Sequence, residues 1–113
     1  MNNLVDGPIS SSFIANQLEL YEKSVSNGAH SIFLGRVRAD KKEGKEVVGI
    51  EYSAYQEMIG KVTEDIQHKL IQNYPDLNDI KIWHSTGFVR AGQVSLLVIL
   101  SSGHRKQAFA AIE

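Results

Sequence analysis

The run Gln93–Ser102, QVSLLVILSS, constrains this chain more than any other stretch. Successive side chains of an extended segment point to opposite faces. Val94 to Leu100 is apolar in both phases, so it must be a strand covered on both sides, central in its sheet or doubly packed. The rest of the chain must then supply two covers. One is the helix expected over 56–73, where Ile59, Val62, Ile66 and Leu70 recur at spacings of three and four before Tyr74-Pro75-Asp76 ends it. The other is a helix running to about Ser24. Ser10–Ser12 offer its N-cap, and Phe13, Ile14, Gln17, Leu18 and Tyr21 form a modest stripe.

The remaining strands follow from alternation and turn signals. Residues 4–9 read as a short edge strand interrupted by Gly7-Pro8. After the Asn27-Gly28 turn, AHSIFLGRVR reads as a strand with Ile32, Leu34, Arg36 and Arg38 on one face. Phe33, Gly35 and Val37 take the other. Ala39–Glu46 is a charged hairpin loop, Val47–Tyr55 the returning strand, and Asp79–Ser85 another strand followed by the turn-rich link GFVRAG. A last helix begins near Gly103 or His104. The order β-α-β-β-α-β-β-α, with a hairpin, predicts a single α+β domain over residues 1–113 rather than a doubly wound parallel sheet.

Composition narrows the chemistry. The chain has 113 residues, 42% of them apolar, with 12 basic against 13 acidic residues and a net charge of -1. A near-neutral whole argues against a nucleic-acid or membrane surface, so any anion site must be a local cluster. There is no cysteine, which removes disulfides, thiolate metal sites and persulfide carriers. The N-terminus has no signal-peptide pattern and no run approaches the roughly 20 apolar residues of a membrane span. The expected location is the cytoplasm. His30, His68 and His84 have no metal-ligand spacing, and no metal is expected.

Two basic clusters follow apolar strands. In SSGHRKQAF, His104, Arg105 and Lys106 stand where a helix starts, an end that disfavours cations by about 0.3–1 kcal/mol each. Two readings fit: the side chains lie in solvent, or an anion sits there, held by helix N–H groups and basic side chains together. In GRVR, Arg36 and Arg38 share a strand face beside Gly35, either as exposed arginines or as a second part of an anion site. Adjacent strand ends in one sheet would bring the clusters together. Glu51 and Glu57 as acid or base, Tyr52 and Tyr55 as a stacking platform, and a packed His84 are further readings of less specific positions.

The two clusters in order, GAHSIFLGRVR and SSGHRKQAF, with GIEYSAYQEMIGK and IKIWHSTGFVRAGQ between them, resemble the large, catalytic subunit family of molybdopterin synthase over about residues 28–113. The resemblance implies an α/β-hammerhead-like fold with an antiparallel sheet. It implies sulfur transfer from a small ubiquitin-like subunit, whose C-terminal Gly-Gly carries a thiocarboxylate, to cyclic pyranopterin monophosphate. The product would be the dithiolene of molybdopterin, for the molybdenum cofactor. It also implies a homodimer within a heterotetramer, and no cofactor of the chain's own. Arg38, His104 and Arg105 match the family's substrate-pocket residues and are the expected catalytic set. Arg36 and Val37 join them as substrate-binding residues at the matching strand end. Ser85 and Gln93 stand where family members often carry an arginine and an acid. The lysine-bearing segment that the family uses for chemistry has no counterpart in HRKQAFAAIE, so the expectation is a chain that binds without turning over. The rival expectation is a non-catalytic module for a phosphorylated ligand or a peptide tail.

Overall fold

The structure, a computed structural model, describes residues 4–42, 45–46, 48–52, 56–103 and 111–112. Its centre is the apolar run anticipated above. It forms a strand, β7 (Val94–Ser102), hydrogen-bonded on both edges. On one edge lies β6 (Leu77–Arg90), antiparallel, with Ile80 opposite Leu100 and Trp83 opposite Leu97. On the other lies β2 (Ala29–Arg36), also antiparallel, with Ile32 opposite Ile99 and Ala29 opposite Ser102. The short β1 (Leu4–Asp6) adds to the far side of β6 in parallel. The fold is thus α+β, with a sheet that is antiparallel except for β1.

Each face of β7 receives its cover. Helix α1 (Ser11–Leu20) starts where Ser10 Oγ accepts the N–H of Phe13 at 3.1 Å, and it passes into a 3-10 turn at Tyr21–Lys23. That turn takes up the residues to which the longer helix was expected to run. Phe13 and Ile14 pack on Ile9, Tyr21, Val94, Leu97 and Ile99. Helix α2 (Gln56–Asn73) has the expected bounds, and its Leu70 packs with Ile80, Ile82, Val98 and Leu100 on the opposite face. Leu97, Ile99 and Leu100 have no exposed surface. Truncating any of them to alanine costs about 2–5 kcal/mol by lost transfer energy and cavity formation. Trp83 and His84, adjacent in β6, face opposite ways. Trp83 meets Phe13 edge-on at 5.6 Å, and His84 meets Tyr52 at 5.1 Å with Nδ1 2.8 Å from the Ser85 carbonyl.

Three expectations change. The GFVRAG link is strand: β6 runs on through Phe88 to Arg90, and only Ala91-Gly92 turn. Gly87, at φ 79°, lets β6 bend there without ending. The returning strand does not return to β2. Its core, β5 (Gly49–Tyr52), pairs antiparallel with the second half of β6, Tyr52 opposite Gly87 and Gly49 opposite Arg90. The charged loop closes on itself as a two-residue ladder, β3 (Lys41–Lys42) with β4 (Lys45–Glu46). Local alternation identified these strands, but pairing partners are non-local and were not in the pattern. Residues 104–110, where the last helix was expected to begin, lie outside the described residues; Ala111-Ile112 are helical.

Two tests follow from the packing. Tyr21 is buried, and its hydroxyl donates to Asp79 Oδ2 at 3.0 Å. Burial, then the Asp79 charge, push its pKa well above the ordinary tyrosine range. The stability this contributes is present below about pH 10 and is lost as pH rises toward the folded-state value. Tyr21→Phe should therefore unfold earlier in urea at pH 7 and lose less stability than the parent between about pH 9 and 11. Gly28 meets Gly103 so closely that a Cβ there would lie 2.5 Å from the Gly103 carbonyl oxygen. Gly28→Ala should destabilise by about 1–3 kcal/mol in chemical denaturation, as overpacking does.

Candidate substrate-binding site

The site is built on the end of β2. A bulge between Gly35 and Arg36 ends the regular ladder, so that Arg36 stands opposite Val94 and Leu96 opposite Gly35. A Cβ on Gly35 would come within 3.1 Å of Leu96, which is why the crowded bulge carries glycine. Val37 is buried, donates its N–H to Gln93 O at 3.0 Å and accepts from Gly92 N at 2.7 Å. With both backbone groups bonded, Val37 acts by locking the strand end to the turn after β6. Gln93 Oε1 accepts the N–H of Arg90 at 2.9 Å, so the glutamine supplies the acceptor that an acid would supply there.

Arg36 and Arg38 flank this lock with different partners. Arg36 Nη1 donates to the Gly92 carbonyl at 2.8 Å. Its side chain also lines a cavity of about 550 Å³ with Ile14, Leu18, Leu34 and Gln93. Arg38 Nη2 meets Asp40 Oδ2 at 3.0 Å, with both side chains largely in solvent. Such an exposed pair is worth about 0–1 kcal/mol, little enough for a ligand anion to replace the carboxylate. On the α2 side a second cavity of about 500 Å³ is apolar, lined by Phe33, Ile66, Ile82, Leu96 and Ile112 among others.

The two basic clusters do not share a strand end. Because β2 and β7 are antiparallel, Arg36 lies beside Val94, the start of β7, whereas Ser102 lies beside Ala29. The chain therefore enters GHRK roughly 25 Å along the ladder from GRVR, at about 3.3 Å per residue. The expectation that adjacent ends would join them within one chain is corrected by this register. His104, Arg105 and Lys106 themselves lie outside the described residues, as do Tyr55 and the Glu57 side chain. Glu51 is exposed, and Tyr52 donates to Ser95 Oγ at 3.1 Å, a packing role. Ser85, where relatives often carry arginine, is fully buried, and its Oγ has no hydrogen-bond partner among the described residues.

Sequence reasoning missed a polar row near Gly103. His30 Nδ1 lies 2.8 Å from Ser101 Oγ, and Tyr21 stands edge-on to the His30 ring at 4.7 Å. The signal was present only as register, since nothing local links residues 30, 79 and 101. No helix among the described residues is long and apolar enough to cross a membrane.

Comparison with known proteins places this architecture. The model of the MoaE protein family matches residues 5–113. The molybdopterin synthase catalytic subunit of Pyrococcus abyssi is 40% identical over 88 residues, 78% of this chain and 58% of the relative. That of Drosophila persimilis is 36% identical over 109 residues, 96% of this chain and 29% of the relative. This chain thus spans little more than half the length of the first relative and under a third of the second. Among solved structures, molybdopterin synthase from Staphylococcus aureus superposes with a TM-score of 0.78 at 28% identity, covering 96% of this chain and 75% of that one. The complex of subunits 1 and 2 of the molybdopterin-converting factor from Helicobacter pylori superposes at 0.77 over 97% and 70%, at 23% identity, a likeness of fold. With a family model spanning nearly all of it and a doubly covered β7 at its centre, the chain belongs to the MoaE family.

Proposed function

We propose that this chain is a catalytic subunit of molybdopterin synthase in the cytoplasm. It would transfer sulfur from the thiocarboxylated Gly-Gly tail of a small ubiquitin-like subunit to cyclic pyranopterin monophosphate. The observation that carries this reading is the family match across residues 5–113. Two features of the chain support it. It has no cysteine, so any sulfur it moves must arrive on a partner. It also presents Arg38 with only a solvent-exposed carboxylate as counter-charge, suited to a phosphate that forms charge-assisted hydrogen bonds.

The register bears on how the pocket is assembled. β2 is the outer strand of its sheet, and Ile32, Phe33 and Leu34 are all more than a third exposed. An apolar edge strand of eight residues is an open pairing site. In the homodimer that the reading includes, a second copy pairs there antiparallel about a two-fold axis. The Arg36 end of one β2 then adjoins the Ala29 end of the other, where Ser102 leads into His104. Arg36 and Arg38 would thus face His104 and Arg105 of the partner subunit around one phosphate. The roles expected of all four residues are kept, across two chains instead of within one.

The decisive assay mixes the chain with a thiocarboxylated small subunit and the cyclic pterin and reads dithiolene product; no product with any such partner overturns the reading. Arg38→Ala and Arg105→Ala should each weaken pterin phosphate binding by about 10- to 100-fold, the value of hydrogen bonds to a charged group. Co-refolding the two variants in equal amounts should restore about a quarter of the high-affinity sites if the pocket is shared between copies. Recovery of none would place the pocket within one chain. Phe33→Glu, at the pairing edge, should shift light scattering from dimer toward monomer.

A further inference from the structure

One residue before β7 leaves the sheet, a polar row crosses three strands on the α1 side. Register sets His30 of β2 opposite Ser101 of β7, and Ser101 opposite Asp79 of β6. Ser101 is fully buried, and its hydroxyl is 2.8 Å from Nδ1 of the solvent-accessible His30. Tyr21 lies over the row, edge-on to His30 and donating to Asp79. Lys81 Nζ is 4.7 Å from the Tyr21 ring centroid and 3.9 Å from Asp79 Oδ2. A buried hydroxyl needs a partner, and His30 supplies one from an edge strand.

The row's place in the ladder gives it consequence. Ala29–Ser102 is the last pair of β2 with β7, and the ends of ladders open first. Just beyond it, Gly28 donates its N–H to Ser102 O at 2.9 Å, and Gly28 forms the wall against which the Gly103 carbonyl lies. If the last rungs open, Gly28 separates from Ser102 and the exit of the chain at Gly103 loses its direction. The hydrogen bond from His30 to Ser101 closes those rungs from the side-chain layer.

We propose that His30, acting through Ser101, is a positioning residue that holds the exit of β7 at Gly103 and thereby aims the basic residues that follow it. This rests on the phosphate-binding role proposed above for His104 and Arg105. His30 acts on the ligand only through the chain path, so a side chain that still reaches the Ser101 hydroxyl should replace it.

The test uses two readouts on the 113-residue chain: hydrogen exchange at the Gly28 amide by NMR, and binding of inorganic phosphate by titration. His30→Leu should speed Gly28 exchange and weaken phosphate binding, each about five-fold, the worth of one hydrogen bond. Ser101→Ala should do the same, and the double variant should be no worse than either single one, since one bond joins the pair. His30→Asn, whose amide still reaches Ser101, should recover most of both. Unchanged Gly28 exchange in His30→Leu overturns the proposal. So does faster exchange with unchanged affinity, or equal loss in the Leu and Asn variants. A parent chain that takes up no phosphate removes the functional reading and the aiming role with it, while the exchange data still decide whether His30 holds the exit.

Discussion

Everything in this chain is arranged around the pairing of β7 on both edges and its burial on both faces. A strand with Leu97 and Ile99 toward one side and Leu100 toward the other has no stable position at a sheet edge or on a wet surface. It requires β6 and β2 as neighbours and α1 and α2 as covers. Its period of two fixes which side chains of those neighbours go to which helix. Trp83 goes with Phe13 because Leu97 does, and Ile82 goes with Leu70 because Val98 does. A one-residue slip would exchange the two cores.

The same pairing sets the chemistry's geography. Antiparallel neighbours bring the end of one strand to the start of the next, so two clusters that each follow a strand cannot lie together when those strands are antiparallel partners. Arg36 beside Val94 and Ala29 beside Ser102 express this directly. What separates the clusters within one chain is also what a two-fold axis through β2 would reverse. The exposed Ile32, Phe33 and Leu34 on that strand, otherwise a liability, and the separated clusters then have one explanation.

Much of the fold was legible because it depends on local pattern. The heptad-like spacing of Ile59, Val62, Ile66 and Leu70 marked α2, Ser10 marked the start of α1, and the two-phase apolar run marked the central strand. What was not legible depends on partners distant in sequence. GFVRAG has the composition of a turn, yet β5 pairs with it and Gly87 absorbs the bend, so tertiary pairing overrides local preference. The candidate site was legible in the same measure. The residue types at Arg36, Val37 and Arg38 stood out as a cluster, whereas the His30–Ser101 contact exists only once the register is known.

The condition of the two described arginines also bears on affinity. A site for a phosphate dianion in a near-neutral protein must attract the ligand without first requiring a buried charge to lose its partner. Arg36 is bonded to a neutral carbonyl and keeps its full charge and its remaining N–H donors. Arg38 has a carboxylate, but in water, where the pair is nearly as well solvated apart as together. A buried Arg38–Asp40 pair would have been a poorer receptor. Displacing its carboxylate would leave an uncompensated charge in a low-dielectric setting, at several kcal/mol. Placing Val37 in the core and its two basic neighbours outside it therefore separates two demands. The buried residue makes the strand end rigid, and the exposed ones remain free to exchange counter-ions.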